Sequence, residues 1–104
     1  MICIDIHRNK SDEIIGFSCT GHAGYAEHGS DVVCASVSML VINTINAIES
    51  FSETAFDCSQ ADGRIECSFK ERLDPAAELL MKTMILGIVT CQNEYTDQYV
   101  KINC

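Results

Sequence analysis

Two residues in the first third of the chain, His22 and Cys34, have the side chains of a proton carrier and a nucleophile. They stand twelve residues apart, and Cys34 falls at the predicted start of a helix, where the backbone favours a negative charge. A cysteine attacks a carbonyl only as its thiolate, and a protonated imidazole beside it stabilises that thiolate and can protonate a leaving amine. The pair therefore predicts acyl-transfer chemistry through a cysteine nucleophile.

Each of these residues also has a plain structural interpretation. Cys34 fits equally well as a small apolar residue on the inner face of a helix, and His22 as a solvated residue at a strand end. Asp31 could orient His22, although an aspartate just before a helix is usually its N-cap. Ser38 lies one helical turn after Cys34 and could line the same pocket. From the residues alone, both interpretations of the pair stay open.

The segment between the two residues has to fold back for their side chains to meet. It runs over residues 23–30, where Gly24 and Gly29 give the backbone the freedom to do so. The amides at a helix start have no intrahelical partner and could bind the oxyanion of a tetrahedral intermediate. The sequence thus predicts all three elements of acyl transfer around one helix start.

Hydrophobic periodicity predicts the elements that hold this site. Alternation indicates two strands before the segment, joined as an antiparallel hairpin by the polar residues 9–12. Their predicted inner residues are Ile2, Ile4 and Ile6 in the first strand and Ile15, Phe17 and Cys19 in the second. A helix follows from Val32 to about Ser50, with Ser30 and Asp31 as candidate N-caps. Its predicted core positions are Val33, Val37, Leu40, Val41, Thr44, Ile45 and Ile48.

The second half of the chain repeats this plan. Residues 54–58 and 64–69 predict a second hairpin around an Asp-Gly turn, and Asp74-Pro75 is typical of a helix start. The predicted inner face of that helix carries Leu80, Met84, Gly87, Ile88 and Cys91. Residues 98–103 alternate as a last strand. The order ββαββαβ predicts an α+β fold, with a mostly antiparallel five-stranded sheet and two helices on one of its faces.

Composition narrows the possible functions. The 104 residues, 47% of them hydrophobic, suit a single domain over 1–104. A net charge of −8 with seven scattered Lys and Arg argues against a nucleic-acid-binding surface. Because the sequence has neither a membrane-span-length apolar run nor a secretory signal, a cytosolic protein is expected. Its seven cysteines, which lack metal-knuckle spacing, are then expected to be free thiols, six of them filling the core.

One string of residues resembles a family signature. It consists of Gly21-His22-Ala23, then Gly29, then Asp31-Val32-Val33-Cys34-Ala35, then Val37-Ser38. This string is similar to the signature of the ribosomal-processing cysteine protease Prp family of Firmicutes and relatives. The element order and the closing Glu94-Tyr95 before a strand extend the resemblance over essentially the whole chain.

The resemblance implies a homodimeric, cytoplasmic endopeptidase that needs no cofactor or metal. Its implied substrate is the N-terminal extension of a large-subunit ribosomal protein, number twenty-seven in the usual naming. It implies Cys34 as the nucleophile and His22 as the proton donor, with no direct nucleic-acid or membrane partner. The implied substrate cleft involves the loop residues Gly21, Ala23, Gly24 and Gly29. An acidic enzyme also suits a basic ribosomal protein.

Two other functions compete with the peptidase. His22, His28 and Cys34 could bind zinc in a small module, although no fourth ligand is evident at the usual spacing. Alternatively, the chain could be a ribosome-associated domain that binds a peptide without cleaving it, with Cys34 only packing. Elemental analysis and a turnover assay distinguish these functions.

Overall fold

The computed structural model describes residues 2–21, 30–61, 63–95 and 100–103, the side chains at 30–32, 34 and 95 excepted. The strands are β1 (Ile2–Arg8), β2 (Ile14–Thr20), β3 (Phe56–Ala61), β4 (Arg64–Phe69) and β5 (Val100–Asn103). The helices are α1 (Ser30–Phe51) and α2 (Pro75–Tyr95). This order confirms the predicted α+β fold.

The five strands form one sheet in the order β3-β4-β2-β1-β5. Both hairpins are antiparallel, as is the β2–β4 pair, whereas β5 lies parallel to β1 at one edge. Residues from one face of the sheet and from both helices join in a single hydrophobic cluster. The molecule therefore has two layers, with both helices on the same side of the sheet.

The predicted inner face of α1 is confirmed for five of its seven residues, and Leu40 and Ile45 are partly buried at the margin of the core. Val33, Val37, Val41 and Ile48 are essentially inaccessible to solvent. Thr44 is also buried, and its hydroxyl donates a hydrogen bond to the backbone carbonyl of Leu40, one turn earlier, at 2.6 Å. In α2 the prediction was partly right, because Leu80 and Cys91 lie at the margin of the core. The fully buried residues of α2 are Ala77, Met81, Met84 and Ile88.

One residue of β2 faces the opposite way from the prediction. Ile15 is 45% exposed, although Phe17 and Cys19 of the same predicted face are buried. The cause is a bulge in the β1–β2 ladder: His7 pairs with Gly16 and the next residue, Arg8, pairs with Ile14. Ile15 is the extra residue, so the alternation of faces reverses there.

The prediction that the cysteines are free thiols was wrong for one pair. Cys58 and Cys67 form a disulfide across β3 and β4, where they stand directly opposite each other with Cα atoms 4.2 Å apart. The predicted burial holds for Cys67 but not for Cys58, which is exposed on the edge strand. β3 also extends three residues further than predicted, which leaves a tight turn that includes Gly63 at a φ of 76°.

The start of α2 is fixed by one carboxylate, as predicted for Asp74. Its Oδ1 accepts hydrogen bonds from the Ala77 amide at 2.8 Å and the Ser52 hydroxyl at 2.7 Å, and its Oδ2 accepts one from the Glu53 amide at 2.9 Å. Asp74 therefore caps α2 and ties it to the segment that follows α1. These bonds, led by the one from Ala77, lower its pKa to about 2.

Because of this cap, the stability of the fold should depend on pH in the acidic range. The pKa of Asp74 is lower in the folded protein than in the unfolded chain, so its ionised form stabilises the fold at pH values above about 4. This contribution is lost as the pH falls from about 4 to about 2. Thermal unfolding of the wild type and Asp74→Asn should therefore differ most near neutral pH. We expect the difference to shrink across that window, measured by circular dichroism. A difference that stays constant down to the acid end would contradict the assignment.

Candidate active site

The predicted site begins where β2 ends. Gly21 follows β2 directly, is exposed and has a φ of 86°, a conformation that favours glycine. At the same end of the sheet lie the starts of β1, β4 and β5, because Thr20 pairs with Cys3 and Arg64, and Ile2 pairs with Val100. Ala61, the last residue of β3, also pairs with Arg64, so the chain leaves the sheet at an end where all five strands begin or end.

Most of the loop residues proposed for the site lie outside the described residues. These are His22, Ala23, Gly24, His28 and Gly29. Their roles stay predictions.

The nucleophile candidate lies close to the start of α1. The helix begins at Ser30, two residues before the predicted start, so Ser30 and Asp31 lie inside its first turn. They are therefore not the N-cap that was predicted. An acidic residue is favoured both at an N-cap and in the first turn, so residue type alone did not distinguish these two positions for Asp31. Cys34 is the fifth helical residue, just past the first turn, and Ser38 is half-buried one turn later.

Packing holds this part of α1 in place. Val33 and Val37 flank position 34 and are both fully buried against the sheet. Two β-branched side chains with restricted rotamers lock the rotation of the helix about its axis. The backbone at position 34 is therefore held between two residues of the hydrophobic core.

A small recess lies beside α1. It measures about 190 Å³ and is formed by α1 residues Ile42, Ile45 and Asn46 with residues of the β3–β4 hairpin, including Gln60 and Ile65. Positions 34, 38, 42 and 45 follow at intervals of four, four and three, which places them on one stripe of the helix. The stripe that starts with Cys34 thus leads to a cavity next to an edge strand.

One cation at this end of the sheet is already paired with a carboxylate. Arg64 starts β4 opposite Thr20, and its Nη2 and Nε lie 2.9 and 3.2 Å from one carboxylate oxygen of Glu66. Both side chains are largely exposed, so the pair adds little to stability. The Thr20–Arg64 pairing places the backbone of Arg64 next to the point where the chain leaves β2 for Gly21. Sequence patterns did not reveal this neighbour, because Arg64 and Gly21 come together only through the β2–β4 pairing.

The zinc hypothesis is not tested by the described part of the chain. No group of three or more His, Cys, Asp or Glu there could hold a metal ion. Its proposed ligands His22 and His28, and the side chain of Cys34, lie outside that part, so the hypothesis stays a prediction. Among the described residues, neither helix is long and apolar enough to cross a membrane.

Nearly the whole chain matches a family of known proteins. The family model for the cysteine protease Prp covers residues 1–101. The chain belongs to the Prp family of cysteine proteases. It is therefore a cysteine peptidase, as the signature around His22 and Cys34 predicted, and not a binding module without chemistry.

Named relatives agree with this assignment. The ribosomal processing cysteine protease Prp of Bacillus subtilis is 37% identical, over 93% of this chain and 92% of its own length. The protein of the same name from Staphylococcus aureus is 28% identical, over 99% of this chain and 98% of its own length.

Solved Prp structures have the same fold. The Staphylococcus aureus protease with a covalently linked product peptide superposes with a TM-score of 0.87 at 28% identity, covering 99% of this chain and 98% of the other. The same protease with a substrate peptide gives 0.83 at 27% identity, with the same coverage. Both structures hold a peptide on a Prp fold, and in one the peptide is covalently attached.

Proposed function

We propose that this Prp protease removes a short N-terminal extension from a ribosomal protein, large-subunit protein number twenty-seven. The observation that carries the proposal is the match to the cysteine protease Prp family over residues 1–101, together with relatives named as ribosomal processing proteases. The proposed catalytic residues are Cys34 and His22.

In the proposed reaction, the Cys34 thiolate attacks the scissile carbonyl. The C–S bond forms as the carbonyl becomes an oxyanion, for which we propose the backbone amides at the start of α1 as hydrogen-bond donors. Collapse of this intermediate breaks the C–N bond, and protonated His22 gives its proton to the departing amine. Water then attacks the thioester, gives up a proton to His22 and releases the acid product and Cys34.

The position of Cys34 determines how much the helix and His22 each stabilise its thiolate. The helix dipole stabilises an anion by about 0.3–1 kcal/mol and fades within the first turn. Position 34 is just past that turn, so the helix alone cannot keep a thiol ionised near neutral pH. His22 is therefore proposed to supply the stabilising charge, with Asp31 orienting it or favouring the helix start, and Ser38 lining the pocket.

The described surface offers a place for an extended substrate. β3 is an edge strand whose last five residues are exposed, and it borders the recess beside α1. An extended peptide can add to such an edge by backbone hydrogen bonds, with side chains entering adjacent pockets. We place the residues before the cut along this edge, with Gly21, Ala23, Gly24 and Gly29 forming the covering loop.

The acidic surface suits the proposed substrate. Fifteen Asp and Glu against seven Lys and Arg attract a basic ribosomal protein at low ionic strength. A cytoplasmic location follows from the proposed substrate, because ribosomal proteins are made and assembled there. The resemblance further suggests a homodimer that requires no nucleic acid, membrane, cofactor or metal.

A direct test is mass analysis of the organism's own precursor after incubation with the purified protein. We expect one cut near the N-terminus when the protein is assayed in reducing buffer. Treating the protein with iodoacetamide before the assay should prevent this cut, and a metal chelator should leave it unchanged. A scrambled N-terminal peptide serves as the control and should stay intact. If folded, reduced protein leaves the precursor uncut, the proposed substrate is wrong. Stoichiometric zinc in elemental analysis of the purified protein would favour the zinc-binding module instead.

A further inference from the structure

The disulfide between Cys58 and Cys67 has no role in the proposed reaction. That reaction uses the Cys34 thiolate, which persists only where small thiols keep cysteines reduced. In a reducing compartment, a protein disulfide is usually a transient redox pair, whereas permanent crosslinks belong to oxidising compartments. We therefore expect a bond that opens and closes, and the structure around the two cysteines agrees with it.

The β3–β4 hairpin is held together by more than this crosslink. Its strands pair over six residues each, and the rings of Phe56 and Phe69, at the end away from the turn, lie 6.0 Å apart. Cys58 and Cys67 are only nine residues apart in the chain, and a disulfide restricts the unfolded chain less when it closes a shorter loop. Reduction of the pair should therefore leave the hairpin folded.

The two cysteines differ in access from solvent. Cys58 is exposed on the edge strand, whereas Cys67 is 1% exposed and belongs to the hydrophobic core. Accessibility therefore directs a small thiol or disulfide to Cys58. The β3–β4 register sets the two residues directly opposite each other, with their Cα atoms 4.2 Å apart. The Cys67 thiol therefore stays within reach of the Cys58 sulfur after the bond between them is broken.

Cys58 lies in the wall between two hollows. The first is the recess beside α1, of about 190 Å³. The second hollow measures about 420 Å³, and its lining includes the acidic residues Glu49, Glu53 and Asp57. Cys58 and Ile45 line both hollows. A group attached to Cys58 would therefore stand beside the edge of β3, where we place the substrate.

We propose that Cys58 is an exchange site for small disulfides and that Cys67 is the thiol that clears it. The exchange itself requires neither Cys34 nor His22. Its consequence for the enzyme rests on the proposed function, because that function places the substrate along β3. An adduct left on Cys58 would obstruct this edge, whereas the Cys58–Cys67 disulfide leaves both hollows open.

The exchange proceeds in two steps, each through a thiolate. The Cys58 thiolate attacks one sulfur of a small disulfide RSSR, so that an S–S bond joins Cys58 to one half and the other half leaves as RS⁻. The Cys67 thiolate then attacks the Cys58 sulfur, forms the intramolecular disulfide and expels the second RS⁻. The two protein thiols are oxidised, RSSR is reduced, and the two protons of the protein thiols end on two molecules of RSH. Two molecules of RSH reverse the sequence.

The test treats reduced protein with oxidised glutathione and maps the products by mass analysis of its peptides. Physiological salt screens the acidic residues of the second hollow from this anionic probe. Cys34→Ala is the parent protein, so that the proposed nucleophile does not react. At least about 90% of the parent should form the Cys58–Cys67 disulfide without glutathione on Cys58. In the parent that also carries Cys67→Ala, glutathione should stay on Cys58.

A second measurement is the affinity for an uncut precursor peptide. Glutathione on Cys58 should weaken binding at least about tenfold, because the adduct stands beside the edge of β3. The oxidised parent should bind the peptide as the reduced parent does. If the exchange products form as expected and the adduct leaves the affinity unchanged, the exchange is confirmed and the placement of the substrate along β3 is wrong.

Cys58→Ala in the same parent is the matched control. It lacks the exchange site and should acquire no glutathione at position 58 or 67, because Cys67 is buried. Cys67→Ala removes a core side chain, so its fold is checked by circular dichroism. The parent needs no core substitution: reduced glutathione should open its disulfide, and oxidised glutathione should restore it. A disulfide that resists reduced glutathione in the folded parent overturns the proposal, as does a parent that keeps glutathione on Cys58.

Discussion

Cys34→Ala is expected to abolish peptide cleavage while leaving the fold intact. The change removes the sulfur that forms the acyl-enzyme, and loss of a nucleophile costs at least about 10³-fold in kcat/KM. Alanine is a good helix former, so α1 should persist from Ser30 to Phe51. The measurements are the cleavage rate of a precursor peptide and the thermal unfolding midpoint of each variant.

This experiment separates the two interpretations of Cys34. If Cys34 merely fills space in the helix, alanine changes stability slightly and leaves the rate alone. If it is the nucleophile, the cleavage rate falls by at least about 10³-fold while the thermal unfolding midpoint stays the same. Cys3→Ala and Cys91→Ala are matched controls, because both thiols are half-buried and outside the disulfide. Both controls should cleave at nearly the wild-type rate.

His22→Ala should lower the rate for a different reason. The variant retains the thiol but loses both the charge beside it and the proton for the leaving amine. Its cleavage should therefore rise with pH as the thiol ionises without help, whereas wild type should already be active near neutral pH. A His22→Ala variant with the wild-type rate and pH profile would show that another group carries the proton.

The features that sequence predicted well depend on short-range physics. The buried stripe of α1, from Val33 to Ile48, follows from helical spacing within one element. The Asp74 cap follows from residue types around one helix start. Both signals come from residues a few positions apart, which folding brings together without reference to the rest of the chain.

The features it missed depend on pairing between distant segments. Ile15 faces outward because of a bulge against β1, and nothing in β2 alone reveals that bulge. Cys58 and Cys67 meet because β3 and β4 pair in a particular register. The parallel contact of β5 with β1 joins the two ends of the chain. Such pairings are set by the whole fold and are weakly encoded in any one segment.

The same limit applies to the site. Local signals placed Gly21 after a strand, which is confirmed, and Cys34 in the first turn of a helix, which is not. The helix begins two residues earlier than predicted, so Cys34 lies just past its first turn. The approach of His22 to Cys34 depends on how residues 22–29 fold, which local propensity does not determine. The pairing of these two side chains was therefore inferred from chemistry and from the family signature. The Cys34 and His22 variants test it.

Gly16→Ala should be strongly destabilising, whereas the identical change at Gly87 should not. Gly16 lies in a central strand, and a Cβ there would come within 2.5 Å of the carbonyl oxygen of Cys67. That oxygen belongs to the backbone of the neighbouring strand, so β2 and β4 must separate to admit one methyl group. Such overpacking costs about 1–3 kcal/mol, and the loss of strand pairing adds to it.

At Gly87, the atoms in the way are side-chain methyl groups. The added Cβ would meet two methyl carbons of Leu40, at 3.0 and 3.2 Å, and a small rotation of that side chain relieves the contact. Alanine also gains about 1 kcal/mol of helix propensity over glycine. Urea unfolding should therefore give Gly87→Ala a stability near that of wild type and Gly16→Ala a clearly lower one. Equal losses of stability at the two positions would contradict this explanation. They would mean that the β2 and β4 backbones can move apart as easily as the Leu40 side chain rotates.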